Sequence, residues 1–157
     1  MKIITLLSIM FVLMFNACSG SDSEKSISLK TGKYGYVLSD SSGNSLVEGE
    51  MSVVTITKQQ GTGDVNDYEV TGSYTITKNT ADSTYQGFST MNGGEMKGYY
   101  NDARKFININ TNPRIADANV FINAIVKSKS IEGGWHYSTF RGTHNEGGLF
   151  KATKIKK

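Results

Sequence analysis

Tyr68-Glu-Val-Thr-Gly-Ser-Tyr-Thr-Ile-Thr77 alternates between two kinds of side chain without a break, and its reading sets the class of the whole chain. Successive side chains of a strand point to opposite faces, so Tyr68, Val70, Gly72, Tyr74 and Ile76 share one face. If Ile76 is buried, both tyrosines point inward. The stretch before it, Leu46 to Lys58, is long and β-branched, with Met51, Val53, Thr55 and Thr57 on one face and Val54 and Ile56 on the other. Gln59-Gln-Gly-Thr-Gly-Asp64 then closes a hairpin between the two. Working back, Lys33 to Leu38 reads as the first strand, ended by the turn-rich Ser39-Asp-Ser-Ser-Gly-Asn44. Working forward, Tyr85–Met91, Glu95–Tyr100 and Lys105–Asn110 read as short strands, separated by turn signals at Asn92-Gly-Gly94 and Asn101-Asp102.

Asn112-Pro113 opens an ambiguous stretch. Ile115, Ala118, Phe121 or Ile122, and Ile125 follow helical spacing behind an Asn cap. Val120 to Val126 is equally a β-branched buried strand, the reading favoured by its composition. Ile131–Phe140, the loop Gly142–Gly147 and Leu149–Ile155 complete eight or nine strands.

One proline, 17 glycines, eight tyrosines and seven phenylalanines in 157 residues fit an all-β chain. Tight turns without helical crossovers make sequence neighbours pair antiparallel, as an up-and-down meander. Such a meander removes its edges by closing into a small barrel; an open β-sandwich is the alternative. Glycines at Gly35, Gly49, Gly72, Gly87, Gly98 and Gly133 favour the barrel, because interior strand glycines mark sharp bends and close backbone approach.

The closing third carries a resemblance. Gly133-Gly-Trp135-His-Tyr-Ser-Thr139, with Gly142-Thr-His144 and Gly148-Leu-Phe150-Lys-Ala-Thr-Lys154, resembles the last hairpin of avidin-like barrels. Gly133-x-Trp135 is also similar to the lipocalin Gly-x-Trp, which that family carries on its first strand. The likeness spans about 25 residues and implies a calycin-like barrel shape rather than a ligand. Avidins line their biotin pocket with several tryptophans, and Trp135 is the only one here.

The N-terminus carries another. Met1-Lys2, the apolar run Ile3 to Phe15, and Phe15-Asn-Ala-Cys18-Ser-Gly20 form a secretory signal too short for a stable membrane span. The position of Cys18 resembles the bacterial lipobox, although Phe15 and Asn16 depart from its usual residues. The resemblance implies a signal peptide over 1–17 and lipidation of Cys18 with palmitate-class acyl chains. It also implies a lipid-anchored envelope lipoprotein of the outer membrane, on the periplasmic face or the cell surface. The polar segment 18–30 reads as a flexible tether and 31–157 as the barrel domain. Cys18 is the sole cysteine, so no internal disulfide is available.

A formal charge of +3 is too small for a nucleic-acid footprint. The lysines of Lys151-Ala-Thr-Lys154-Ile-Lys156-Lys157 blunt a final strand, or contact anionic headgroups. His136, one residue from Trp135, and His144, in a loop, read as surface residues rather than zinc ligands. Ser138, Thr139 and the histidines form no recognised catalytic motif, and no enzymatic role or cofactor is expected. Asp64, Asn66, Asp67 and Glu69 lack EF-hand spacing and read as a solvated hairpin tip. Gly61-Thr-Gly63 lacks the helix and lysine of a phosphate loop.

Aromatic residues are the least ordinary feature. Most should fill the barrel, but each tyrosine hydroxyl needs a partner, and a partly open mouth would suit a ligand. Tyr68, Tyr74, Tyr99 and Trp135 are the candidate ligand-lining residues. Two readings follow: a non-enzymatic barrel binding a small amphipathic or aromatic molecule or an envelope partner, and a solid barrel acting as an interaction protein, such as a protease or lysozyme inhibitor.

Overall fold

The computed structural model describes residues 28–59, 67–89, 91–139 and 146–156. The signal, Cys18, Gly61, Gly63, Asp64, Asn66 and His144 lie outside the described residues. Eight strands follow one another as β1 (Gly32–Ser39), β2 (Ser45–Lys58), β3 (Asp67–Asn79), β4 (Gly94–Asn101), β5 (Phe106–Asn110), β6 (Asn119–Val126), β7 (Ser130–Ser138) and β8 (Gly147–Lys154). Each pairs antiparallel with its sequence neighbour, and β1 pairs with β8, closing an up-and-down barrel. The all-β barrel expected from the alternation is thus the fold, and the sandwich is not. The ambiguous 113–126 stretch resolves as a loop followed by β6, with no helix.

One expected strand is absent. Tyr85–Met91 instead contains a single helical turn, α1 (Gln86–Ser89). Its apolar residues Tyr85, Phe88 and Met91 recur every third position, which matches a helical turn better than alternation. Asn92-Gly-Gly94 therefore joins this turn to β4 instead of closing a hairpin. Gly93 and Gly94 both take positive φ there, 78° and 131°.

Irregular pairing corrects the expected parity of β2. Val53 opposes Gly72 while Thr55 opposes Thr71, leaving Val54 as an extra residue. This bulge flips the remainder of the strand: Ile56 packs against the core, and Val54, Thr55 and Thr57 face outward. The parity expected for β3 is retained, with Val70 and Tyr74 buried and Tyr68 and Ile76 packed against the core.

Both mouths of the barrel are stoppered. At the end carrying the β1–β2, β3–β4, β5–β6 and β7–β8 connections, called distal here, α1 inserts Phe88, 4.5 Å from the Trp135 ring, and Met91 is buried beside it. At the opposite, proximal end the residues before β1 cross the mouth. Leu29 is buried, its amide donating to the Tyr100 hydroxyl at 3.3 Å, and the Tyr34 hydroxyl donates to the Lys30 carbonyl at 2.6 Å. The last residues of the expected tether, 28–30, are thus docked on the barrel. Burial of each such apolar side chain contributes roughly 1.5–3 kcal/mol. Among the described residues the core runs from Leu29 to Ala152, and every strand has both neighbours.

Candidate functional site

The interior is the first place to seek a ligand, and it is full. Tyr36, Met51, Tyr74, Met96, Ile109 and Phe150 surround a residual space of about 10 Å³. That is at the lower limit for one water molecule, whereas ligand cavities run from about 300 Å³ upward. Long, adaptable methionine side chains at Met51, Met91 and Met96 fill the gaps between the aromatic rings.

The four residues expected to line a ligand site do not converge. Tyr74 is buried, edge-on to Tyr36 with centroids 6.5 Å apart. Its hydroxyl is held by the Thr111 side chain and the Gly93 backbone, and burial raises its pKa. Trp135 is buried at the distal end between Phe88 and Tyr85, and its Nε1 donates to the Ser39 carbonyl at 2.8 Å. The indole has no polar atom left for a ligand. Tyr68 lies near the proximal end against Tyr100, centroids 6.2 Å apart.

Tyr99 has outward parity, since Met96 and Tyr100, two of the buried residues of β4, lie on the opposite face. Its hydroxyl donates to the Asp67 carboxylate, which also accepts from Asn101 Nδ2 at 2.7 Å. Asp67 and Asn101 are both buried. Asp67 is therefore engaged in a structural polar cluster rather than exposed on a hairpin tip. Glu69 pairs with Lys97 at 2.8 Å. His136 faces outward as its parity required, stacked on Phe121 with centroids 5.5 Å apart. Among the described residues, no three His, Cys, Asp or Glu side chains gather as a metal site.

The surface offers more room than the interior. An open distal cleft of about 700 Å³ lies between the connection carrying α1 and the β5–β6 loop. Tyr74 reaches its floor, Asn92 and Gly93 line one wall, and Asn112, Pro113 and Ile115 the other. Arg114 bridges its rim, donating from Nε and Nη2 to the two Glu95 carboxylate oxygens at 3.0 and 2.6 Å. Beyond this bidentate pair a second depression, about 430 Å³, continues down the barrel wall past Val54 and Thr71. Ile115 and Val54, among the few large apolar residues exposed, are 51% and 60% accessible.

The β5–β6 loop is locally strained. Ala118 has φ 64°, a left-handed conformation that a Cβ disfavours. Next to it, Asn119 is buried and its Nδ2 donates to the Ile115 carbonyl at 2.7 Å, while its Oδ1 has no partner among the described residues. Buried polar atoms are nearly always paired, which sets this oxygen apart. The sequence reading missed this loop because Asn112-Pro113 drew attention as a helix start. A Pro followed by small and polar residues was the available sign of an irregular loop. No protein-family model, no curated protein and no solved structure matches this chain.

Proposed function

We propose that this protein is a lipid-anchored, non-enzymatic lipoprotein of the outer membrane whose solid barrel presents its distal surface to an envelope protein. Of the two readings open at the sequence level, the packed interior supports the interaction protein over the carrier of an enclosed small molecule. That single observation carries the choice: about 10 Å³ leaves no space for an aromatic ligand. The open groove running from the distal cleft past Arg114 to Val54 supplies a surface suited to a protein segment. It has exposed apolar side chains near both ends and a planar guanidinium between them.

Orientation supports the same reading. Ser28 enters at the proximal end, so an acyl group on Cys18 holds that end toward the bilayer and the groove away from it. The test is photo-crosslinking in intact cells from Ile115, with Thr75 on the barrel wall as the comparison. One discrete envelope-protein adduct from Ile115 and none from Thr75 is the expected result. A small molecule retained stoichiometrically by the purified barrel in native mass spectrometry would overturn it.

A further inference from the structure

We propose that the proximal end of the barrel holds a second site, a lysine-lined cleft that takes the phosphate-bearing headgroup of an anionic lipid. The cleft, about 410 Å³, opens between the residues leading into β1, the β6–β7 turn and the end of β8. Lys30, Lys127, Lys129 and Lys154 line it, together with the hydroxyl-bearing Ser28 and Ser130. Ammonium groups and hydroxyls converging on one hollow suit the oxygens of a phosphodiester.

The local acids cancel only part of this charge, that of Lys127. Glu132 is hydrogen-bonded by Lys127 and, at 2.8 Å, by the Ser130 hydroxyl, and Lys151 lies 3.5 Å from it. Asp102 is taken by Lys105 at 3.1 Å and by the Tyr100 hydroxyl at 2.7 Å. Lys154 is fixed in place, donating to the Thr31 carbonyl at 3.1 Å with its ammonium 5.9 Å above the Tyr34 ring. Lys30 and Lys129 are exposed and have no acidic partner among the described residues.

The cleft also sits on a polarised molecule. Lys58, Arg104 and Lys156 add to the proximal end, where Lys105 is paired with Asp102. Among the described residues the distal end carries Asp40, Asp82, Asp117 and Glu146, while Lys78 and Arg114 there are paired with Glu48 and Glu95. An anionic bilayer attracts the first end and repels the second. The lipid source is favoured over a soluble phosphate because the chain entering at Ser28 leads, ten residues back, to Cys18. This choice of source rests on the anchoring proposed above. The cleft's charge does not.

The test uses the unacylated chain from Ser19 to Lys157, so no acyl chain contributes and failure here leaves the anchor itself untouched. Co-sedimentation with phosphatidylcholine–phosphatidylglycerol vesicles is compared with pure phosphatidylcholine vesicles. Binding to the mixed vesicles only, weakening as salt is raised, is expected. Lys30→Gln with Lys129→Gln should lower that binding by about 25-fold, at roughly fivefold per lysine. Lys97→Gln, on the barrel wall and paired with Glu69, should lower it by less than about twofold. Equal binding to both vesicles, no binding to either, or an equal loss from Lys97→Gln would overturn the proposal. Saturable shifts of the Lys127–Ser130 amide signals by inorganic phosphate, without vesicle binding, would assign the cleft to a soluble anion and overturn the lipid source.

Discussion

Trp135 shows how much one side chain organises the distal end. Opposite it on β8 stands Gly148, where a Cβ would overlap the Ser39 carbonyl oxygen and come within 2.8 Å of the indole Nε1. The absence of a side chain at Gly148 is what allows the indole to lie flat and donate to Ser39. Trp135→Ala should therefore cost roughly 3–5 kcal/mol in chemical unfolding, as for other large buried aromatics. Gly148→Ala should cost about 1–3 kcal/mol through overpacking alone. The double variant should lose less than the sum, because removing the indole relieves the Nε1 part of the overlap that Gly148→Ala creates, while the overlap with the Ser39 carbonyl remains. Sequence parity located the tryptophan but not its partner: Gly133 and Gly134 adjoin it in sequence, while the glycine beneath its ring comes from the next strand. The buried tyrosines make a prediction of their own. Tyr34, Tyr36, Tyr74 and Tyr100 all have raised pKa values, first through burial, and Tyr100 reaches about 12 with the Asp102 carboxylate beside its hydroxyl adding to the effect. In the unfolded chain they ionise near the ordinary value of about 10. The folded state binds the extra protons, so its stability is intact below about pH 10 and declines as pH rises toward about 12. Urea midpoints followed against tyrosinate absorbance should show this loss, and an unchanged midpoint across that window would contradict the burial of these phenols.

At the scale of elements, strands were legible and stoppers were not. Strand alternation is written in many residues at once, so β1 to β3 could be read with near-correct limits. A stopper is written in one or two: Leu29 is, with Ile27, one of two apolar residues in a polar lead, and Phe88 sits in a run short enough to pass for a strand. What fixes α1 is a distant residue that no local pattern announces. Glu146, just before β8, accepts from the Gln86 and Gly87 amides at 3.0 Å each, tying the β7–β8 connection to the first turn of α1. Hydrogen bonds to a charged group contribute about 1.5–3 kcal/mol each when shielded, and less here, where Gln86 is exposed. Glu146→Gln should raise amide exchange at Gln86 and Gly87 while leaving the β1–β8 ladder protected. Uniform loss of protection would instead make α1 part of the global unfolding unit. The candidate site was less legible than the fold for a related reason. Tyrosine hydroxyls were correctly expected to need partners, but backbone carbonyls and carboxylates such as Lys30, Thr75 and Asp67 supply them. Composition cannot distinguish a phenol satisfied by the protein from one awaiting a ligand.

For the whole molecule, position along the barrel axis is the organising variable: chain entry and lysines at one end, α1 and the strained loop at the other. Cys18→Ala should move the protein from the membrane fraction to the soluble envelope fraction without altering its unfolding midpoint, because among the described residues the core begins at Leu29. Retention of the variant with membranes, in protein whose signal has been removed, would contradict anchoring through that thiol. His136→Ala should change stability by less than about 0.5 kcal/mol, since the exposed ring stacks on Phe121 and shares one long, solvent-exposed hydrogen bond, 3.3 Å, with Asn123 Nδ2. The pairing of β1 with β8 has a further consequence, in time rather than space. Tyr36 must meet Ala152, nearly the whole domain later, before either strand has both neighbours. A chain emerging N-terminus first exposes two unpaired strand edges until its final segment arrives, so synthesis and folding cannot overlap to completion. Such non-local closure places folding in the range of about milliseconds to seconds. During that interval the unfinished sheet is open to neighbours of its own kind. A chain ending before β8 should therefore aggregate rather than persist as a seven-stranded monomer.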